Sequence, residues 1–468
     1  MPRPDACSSG ISQSKTQGMS KKIDMLEGGL FSRILLFSLP LMASGILQQS
    51  FNSVDVAVVG RWCGKEALAA VGSNGMIISL IVNLFIGISI GANVVISRYV
   101  GQRDGEGIRR SVATVGVVGL ASGLLLAVIG FCAARPMLDF VSTPEDVIDL
   151  ATTYLRIYFL GMPGLMAYNF GSAILRSLGD TRRPFYALLV GGLVNTGLNL
   201  LFVLKLGMDV DGVALATIIS QYVSAAVVIV FLLREQDPYR LDPRTCRLHG
   251  LQFRKMLQIG LPAGLQGVVF SISNVFIVGN INLYGSTASA GSAAALIFEF
   301  YCYYVISSFA QAAVVFTSAN YGAGNIERCR RVWSVCMFLS VVSSGLLNVV
   351  IAGNATVFAS IFTQDPDALQ YAAVRITTVL LFQFVACSYE ISGSAMRGLG
   401  YSMTPTVITV IGTCLLRIVW VHTVSVRPTD FRLLMSVYPI TWTVTGIAVV
   451  LAYFYCRRRA FAHISGCA

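Results

Sequence analysis

Residues 39–60 read LPLMASGILQQSFNSVDVAVVG. The stretch is mostly apolar and long enough to cross a bilayer, yet it holds a carboxylate, Asp55. An ionisable group at membrane depth is costly, so by default it marks an ion, proton or substrate pathway. Gln48, Asn52 and Asp55 follow at spacings of four and three, which puts them on one face of a helix. A polar stripe of this kind also serves as glue between helices, so Asp55 has to be weighed against the rest of the chain.

The 468 residues are 55% hydrophobic and only 12% charged, which leaves too little charge to cover soluble domains of this total length. Eleven cysteines are scattered singly without a CxxC, and His249, His422 and His463 are the only histidines. Neither a disulfide framework nor a zinc site is supported, and the cysteines read as small apolar packing residues. The first thirty residues are polar, with Lys15, Lys21 and Lys22, and show no cleavable signal pattern. A net charge of +11 would suit nucleic acid, but the basic residues sit in short loops between apolar segments, which is the membrane pattern.

Segments long enough to span lie at 30–60, 67–98, 111–134, 148–175, 184–206 and 210–233, and again at 256–284, 289–321, 332–354, 368–396, 404–424 and 433–456. The expected fold is an all-α polytopic membrane protein with twelve transmembrane helices. With the N-terminus placed inside, 24 of the 34 Lys and Arg fall in the N-terminus (Arg33 at the start of the first segment counted with it), the even-numbered loops and the C-terminus. Six, with Lys205 at the end of the fifth segment, fall to the odd-numbered loops, and Arg98, Arg156, Arg375 and Arg417 lie within or at the ends of apolar segments. The opposite side carries acids such as Glu145, Asp146 and Asp149. Both termini are therefore expected in the cytoplasm, with the protein in the plasma (inner) membrane. The polar, proline-bearing stretch 234–255 reads as a linker. It divides the chain into a tail (1–29), an N-terminal lobe (30–233), the linker, a C-terminal lobe (256–456) and a closing tail (457–468).

The two halves repeat. A shift of 222 residues carries Leu39-Pro40 onto Leu261-Pro262 and Asn52 onto Asn274. YVGQRDGEGIRR (Tyr99 to Arg110) falls on NYGAGNIERCRR (Asn320 to Arg331), and RSLGDTRRP (Arg176 to Pro184) on RGLGYSMTP (Arg397 to Pro405). Six spans per half is an even number, so both halves start on the same side. The two six-helix bundles are then related by a pseudo-two-fold along the membrane normal and face a shared midplane cavity, the arrangement of an alternating-access transporter.

Six stretches carry a family likeness: NSVDVAVVGR, YVGQRDGEGIRR, ILRSLGDTRRP, GLVNTGLNLLFV, GVALATIISQ and GSAMRGLGYSMTP. In their order and spacing the chain resembles the multidrug and toxic compound extrusion (MATE) transporters over residues 25–458. The resemblance implies export of amphipathic, often cationic, small organic compounds in exchange for protons or sodium ions. It also implies that Asp55 is the ion-binding carboxylate of the N-terminal lobe and that Pro40 is the proline at which its helix bends. Asn195, Asn199 and Thr217 then match the polar partners of Asp55, and a sodium ion would sit at Asp55, Asn195 and Asn199. Some members carry a second aspartate where this chain has Asn199, and a carboxylate in helix seven where it has only Gln266 as a polar candidate. The first departure leaves proton and sodium both open. A desolvated Asp55 would be switchable in charge, drawing in Asn195 and Asn199 when charged and letting helix one repack at Pro40 when neutral.

Of 23 acidic residues only Asp55, Glu299 and Glu390 lie inside apolar segments away from their ends. Glu299 stands among Phe298, Phe300, Tyr301, Tyr303 and Tyr304, a setting that suits a cationic amphipathic ligand. The bland reading is that Glu299 or Glu390 pairs with Arg417. The candidate substrate cavity comprises Gln48, Asn52, Asn169 (the repeat partner of Glu390), Gln266, Glu299, Tyr303, Glu390 and Arg417. A flippase for lipid-linked precursors is the rival reading. An enzyme is not expected, because no apolar segment has paired acids and no histidine accompanies an intramembrane acid. No cofactor beyond the coupling ion and no nucleic-acid partner are expected, and the protein should act as a monomer surrounded by lipid.

Overall fold

The computed structural model describes residues 22–141, 143–145, 147–424 and 430–465. The tail up to residue 21, with Lys15 and Lys21, the loop acid Asp146 and the last three residues of the closing tail lie outside the described residues. Within them every regular element is a helix.

The N-terminal lobe contains α1 (Leu30–Val58), α2 (Gly64–Gln102), α3 (Gly105–Phe140), α4 (Ile148–Leu160), α5 (Met162–Ser177), α6 (Arg182–Leu200) and α7 (Val210–Leu233). The C-terminal lobe begins with α8 (Gly250–Asn282), α9 (Ser286–Gly322), α10 (Ile326–Gly353) and a short α11 (Ala355–Ala359). It continues through α12 (Pro366–Thr378), α13 (Cys387–Leu399), α14 (Met403–Thr409), α15 (Leu416–Thr423), α16 (Phe431–Met435) and α17 (Val437–Ser465). Among the described residues eleven helices are long and apolar enough to cross a membrane. The twelfth span, expected as one helix over 148–175, is broken into α4 and α5 at Gly161. Pro163 has no N–H to offer the Phe159 carbonyl there, and the neighbouring Leu160 carbonyl accepts from the Tyr222 hydroxyl at 2.8 Å. In the other lobe the matching span changes character too, with a 3₁₀ stretch at Leu380–Ala386 between α12 and α13.

The repeat is visible in local chemistry. Asp104 caps α3 by accepting from the Gly107 N–H, and Asn325 caps α10 by accepting from the Arg328 N–H. The residue before each cap is left-handed: Arg103 at φ 56° and Gly324 at φ 73°. Both halves thus make the same tight turn, one with glycine and one without.

Each lobe has its own apolar core, but the first helix of each leans on the other lobe. Ile34 and Phe37 of α1 lie in the C-terminal core, where Phe37 meets Phe316 edge-on at 5.4 Å. Met256 and Ile259 of α8 lie in the N-terminal core. Glycines allow this exchange. A Cβ on Gly264 would stand 2.3 Å from the Leu84 carbonyl oxygen, and one on Gly91 would stand 2.2 Å from that of Met256. Closer to the basic loops, Gly101 and Gly322 abut the Ala319 and Arg98 carbonyls in the same way. The lobes therefore meet, backbone to backbone, in the half of the molecule that faces the basic loops. On the periphery Leu120, Leu124 and Val128 of α3 and Leu346 and Val349 of α10 are exposed apolar rows suited to lipid.

Two cations read as loop residues are in helices: Arg176 ends α5, and Arg397 is buried near the end of α13. The polar stretch between the lobes ends at His249, so the last residues of 234–255 already belong to α8.

Candidate functional site

α1 and α6 approach closely because Gly192 has no side chain; a Cβ there would meet the Phe51 ring at 1.8 Å. That contact sets α6 beside the polar stripe of α1. Asn199, fully buried, donates from Nδ2 to Asp55 Oδ1 at 2.5 Å and reaches Asn195 Oδ1 at 3.3 Å. Asn195 in turn donates from Nδ2 to Thr217 Oγ1 on α7 at 3.4 Å. Asp55 and the three residues expected around it therefore form one chain of hydrogen bonds across three helices. Its surroundings are apolar, with Val58, Val203 and Val213 packed nearby and Tyr154 and Tyr158 of α4 stacked at 6.1 Å. Within a turn of Asp55 and of Asn199, the two helices loosen into π-helical turns at Val59–Cys63 and Leu201–Lys205. Such turns recur at functional sites because they shift the ladder without breaking it.

Asn199 Oδ1 is buried without a hydrogen-bond partner. As placed, the cluster offers a charged carboxylate a donor. Turning the Asn199 amide over would instead offer a cation oxygens from Asp55, Asn195, Asn199 and Thr217. The donor set is compatible with either use.

α1 runs unbroken through Pro40, whose carbonyl accepts from the Ser44 hydroxyl at 2.8 Å. Gln48 and Asn52 are exposed on the same helix, and Asp55 is half-buried. Asn169 donates along its own helix, to the Leu165 carbonyl at 2.9 Å.

In the C-terminal lobe the charges pair differently from the expectation. Glu299 accepts from Arg375, Nε to Oε1 at 2.6 Å and Nη2 to Oε2 at 2.9 Å, so its partner is Arg375 and not Arg417. A third donor of Arg375, Nη1, reaches the Ser292 hydroxyl at 2.5 Å. Both members of the pair are buried, which turns Glu299 away from the role of a free cavity carboxylate. Arg417, 1% exposed, lies over the rings of Tyr438 (4.4 Å) and Phe270 (5.1 Å) and donates to Asn274 Oδ1 at 3.2 Å. Gln266 accepts from Arg397 at 2.7 Å and from Thr406 at 3.3 Å. Glu390 stands beside Tyr303 and Arg397. Gln266, Tyr303 and Glu390 are thus gathered around Arg397, a residue sequence reasoning had not singled out. The available signal was its repeat partner Arg176, which also heads an R-x-L-G motif. Tyr154 and Tyr158 were missed too, since aromatic residues in an apolar segment read as packing. Among the described residues no group of three or more His, Cys, Asp or Glu could hold a metal.

A MatE family model matches residues 40–201 and 262–421, one copy on each half. The probable multidrug resistance protein YoeA of Bacillus subtilis is 31% identical over 387 residues, 80% of this chain and 82% of that protein. The probable multidrug resistance protein NorM of Thermotoga maritima is 24% identical over 387 residues, 81% and 82% of the two chains. Among solved structures, an outward-facing conformation of a multidrug resistance MATE family transporter of the MOP superfamily superposes with a TM-score of 0.85 at 22% identity. It covers 96% of this chain and 100% of that one, and at such identity it speaks for the fold. The chain belongs to the MatE family, and is a MATE transporter of the membrane.

Proposed function

We propose that this transporter exports amphipathic organic cations in exchange for protons or sodium ions, by alternating access of a cavity between its lobes, with Asp55 as the coupling carboxylate. The relatives named multidrug resistance proteins support drugs and similar small organic compounds as cargo. The observation that carries the coupling role is the Asp55–Asn199–Asn195–Thr217 chain, which ties α1, α6 and α7 together through one ionisable group. Charged, Asp55 holds Asn199 as a donor or holds a cation; neutral, it loses the charge-assisted part of that bond and frees α1 to repack. Pro40 lies in the part of α1 lodged against the C-terminal lobe and is the weak point of its helix. Repacking there changes the wall of the cavity. On this reading the basic-loop face is cytoplasmic, both termini with it, and the protein sits in the plasma (inner) membrane.

The test is efflux of a cationic dye from liposomes, driven separately by a proton or a sodium gradient. Asp55→Asn should fold and insert normally and lose gradient-driven export under both. Full driven export by that variant would overturn the coupling role. A second reading, flipping of lipid-linked precursors, rests on Arg417, a buried cation with no carboxylate within salt-bridge distance among the described residues. It predicts movement of an anionic lipid headgroup that does not depend on Asp55.

A further inference from the structure

Residues 22–28, which precede α1, cross the basic-loop face and are held by both lobes. On the N-terminal side the Ile23 N–H donates to the Gly179 carbonyl at 3.1 Å. Lys22 Nζ lies 2.6 Å from Glu235 Oε2 and 4.8 Å from the centre of the Tyr239 ring. Gly179 is left-handed at φ 80°, and a Cβ there would stand 2.2 Å from the Ile23 carbonyl oxygen, so this turn receives the segment only as glycine. On the C-terminal side the Met25 side chain is 4% exposed, in the core of that lobe. One guanidinium, Arg328, donates to three carbonyls of the segment: Met25 at 3.3 Å, Gly28 at 2.9 Å and Glu27 at 2.8 Å. Asn320 Nδ2 adds a bond to the Met25 carbonyl at 3.0 Å.

These receiving residues stand where the internal repeat has diverged. The shift of 221 that superposes Gly101 on Gly322 pairs Asn320 with Tyr99, and Arg328 with Gly107. In the N-terminal lobe the corresponding place is served from the interlobe stretch, by Lys255 donating to the Tyr99 hydroxyl at 3.0 Å and the His249 N–H to Thr114 Oγ1 at 3.2 Å.

From this geometry we infer that residues 22–28 are a latch that holds the basic-loop face of the transporter shut. The argument is one of reach. The N-terminal anchor is Ile23 and the C-terminal anchor is Met25, and two residues of chain span at most about 7 Å. The two anchor points cannot stand farther apart than that span without one anchor letting go. The C-terminal side has a buried side chain and four hydrogen bonds; the N-terminal side has one backbone bond and one partly exposed lysine that pairs with Glu235 and lies over the Tyr239 ring. The N-terminal anchor is the one that releases. The inference rests on the alternating-access reading, in which this face must open once per cycle.

Two measurements on the full chain in liposomes test it. Hydrogen exchange of the inner ends of α2 and α9 reports opening of this face and needs no transport assay. Lys22→Met should speed exchange there by about fivefold, the worth of one partly screened charge-assisted bond, and leave exchange in the middle of α3 unchanged. In the second arm, Lys22→Cys with Glu235→Cys is bridged by a reducible bis-methanethiosulfonate reagent, with Lys22→Cys alone under the same reagent as control. Dye export should stop in the double variant and return with a reductant. Exchange identical to the parent in Lys22→Met, or full export by the cross-linked protein, overturns the latch. Failure of Asp55→Asn to block export would strike the coupling role and leave the exchange result standing.

Discussion

Glu299 and Arg375 are a bidentate pair at membrane depth, and removing one partner strands the other. Breaking such a pair costs about 3–5 kcal/mol, because the desolvation of the remaining charge is no longer compensated. Glu299→Gln is therefore expected to lower the thermal stability of the purified protein by several degrees and to leave cargo affinity of the folded fraction unchanged. Weakened dye binding at an unchanged melting temperature would return Glu299 to the cavity wall. The contrast with Asp55 shows what single residues reveal in a sequence. Asp55, Asn195 and Asn199 were legible because helical spacing and family likeness act along the chain, where letters can be counted. The Glu299 partner was not, since Arg375 is 76 positions away and Arg417 offered the same charge in a similar setting. Arg397 was hidden for another reason. It heads the repeated R-x-L-G motif at the end of an apolar stretch, where a cation reads as a loop anchor although the side chain is buried and bonded to Gln266.

Among the elements, α2 and α8 carry the most extensive contact between lobes, and its fit depends on missing side chains. A Cβ on Gly264 would lie 2.3 Å from a backbone oxygen of Leu84, which cannot turn aside as a flexible side chain could. Overpacking of this sort costs about 1–3 kcal/mol, and the cost falls only on states in which these helices touch. Gly264→Val should therefore speed hydrogen exchange around Leu84 and along the facing part of α8 relative to the interior of α3 and α5. Equal acceleration everywhere would mean general destabilisation, and no change would mean that the contact yields cheaply. Element number and order were readable from hydropathy, because each apolar run has to exceed the thickness of a bilayer. The interruption at Gly161 was not, since a sliding average over 148–175 passes smoothly through Gly161 and Pro163. The exchange of first helices between lobes was invisible as well. Periodicity says that Ile34 and Phe37 are buried; it does not say in which lobe.

For the molecule as a whole, two near-copies of one bundle have come to do different work. The N-terminal copy holds the isolated carboxylate, and the C-terminal copy holds a neutralised pair and the residues that receive the segment before α1. The pH behaviour of the joint between them follows from Glu235, whose carboxylate lies outside the spans and faces Lys22 and Arg183, with the Tyr239 ring beside Lys22 and Asp180 on the far side of Arg183. Burial pushes its carboxyl up, but the hydrogen bonds and charges of Lys22 and Arg183 outweigh this and hold it below the ordinary carboxylate range. A depressed value in the folded state means a contribution that is complete above the unfolded value of about 4.3 and disappears as the pH falls through the folded one. The stability difference between the parent protein and Glu235→Gln should accordingly stay level from about pH 8 to pH 5 and shrink only below about pH 4. Thermal unfolding of the two proteins in detergent across that range gives the difference directly. A difference that changes between about pH 6 and 8 would assign the control of this joint to a group other than Glu235, because no carboxylate held below its ordinary range titrates there.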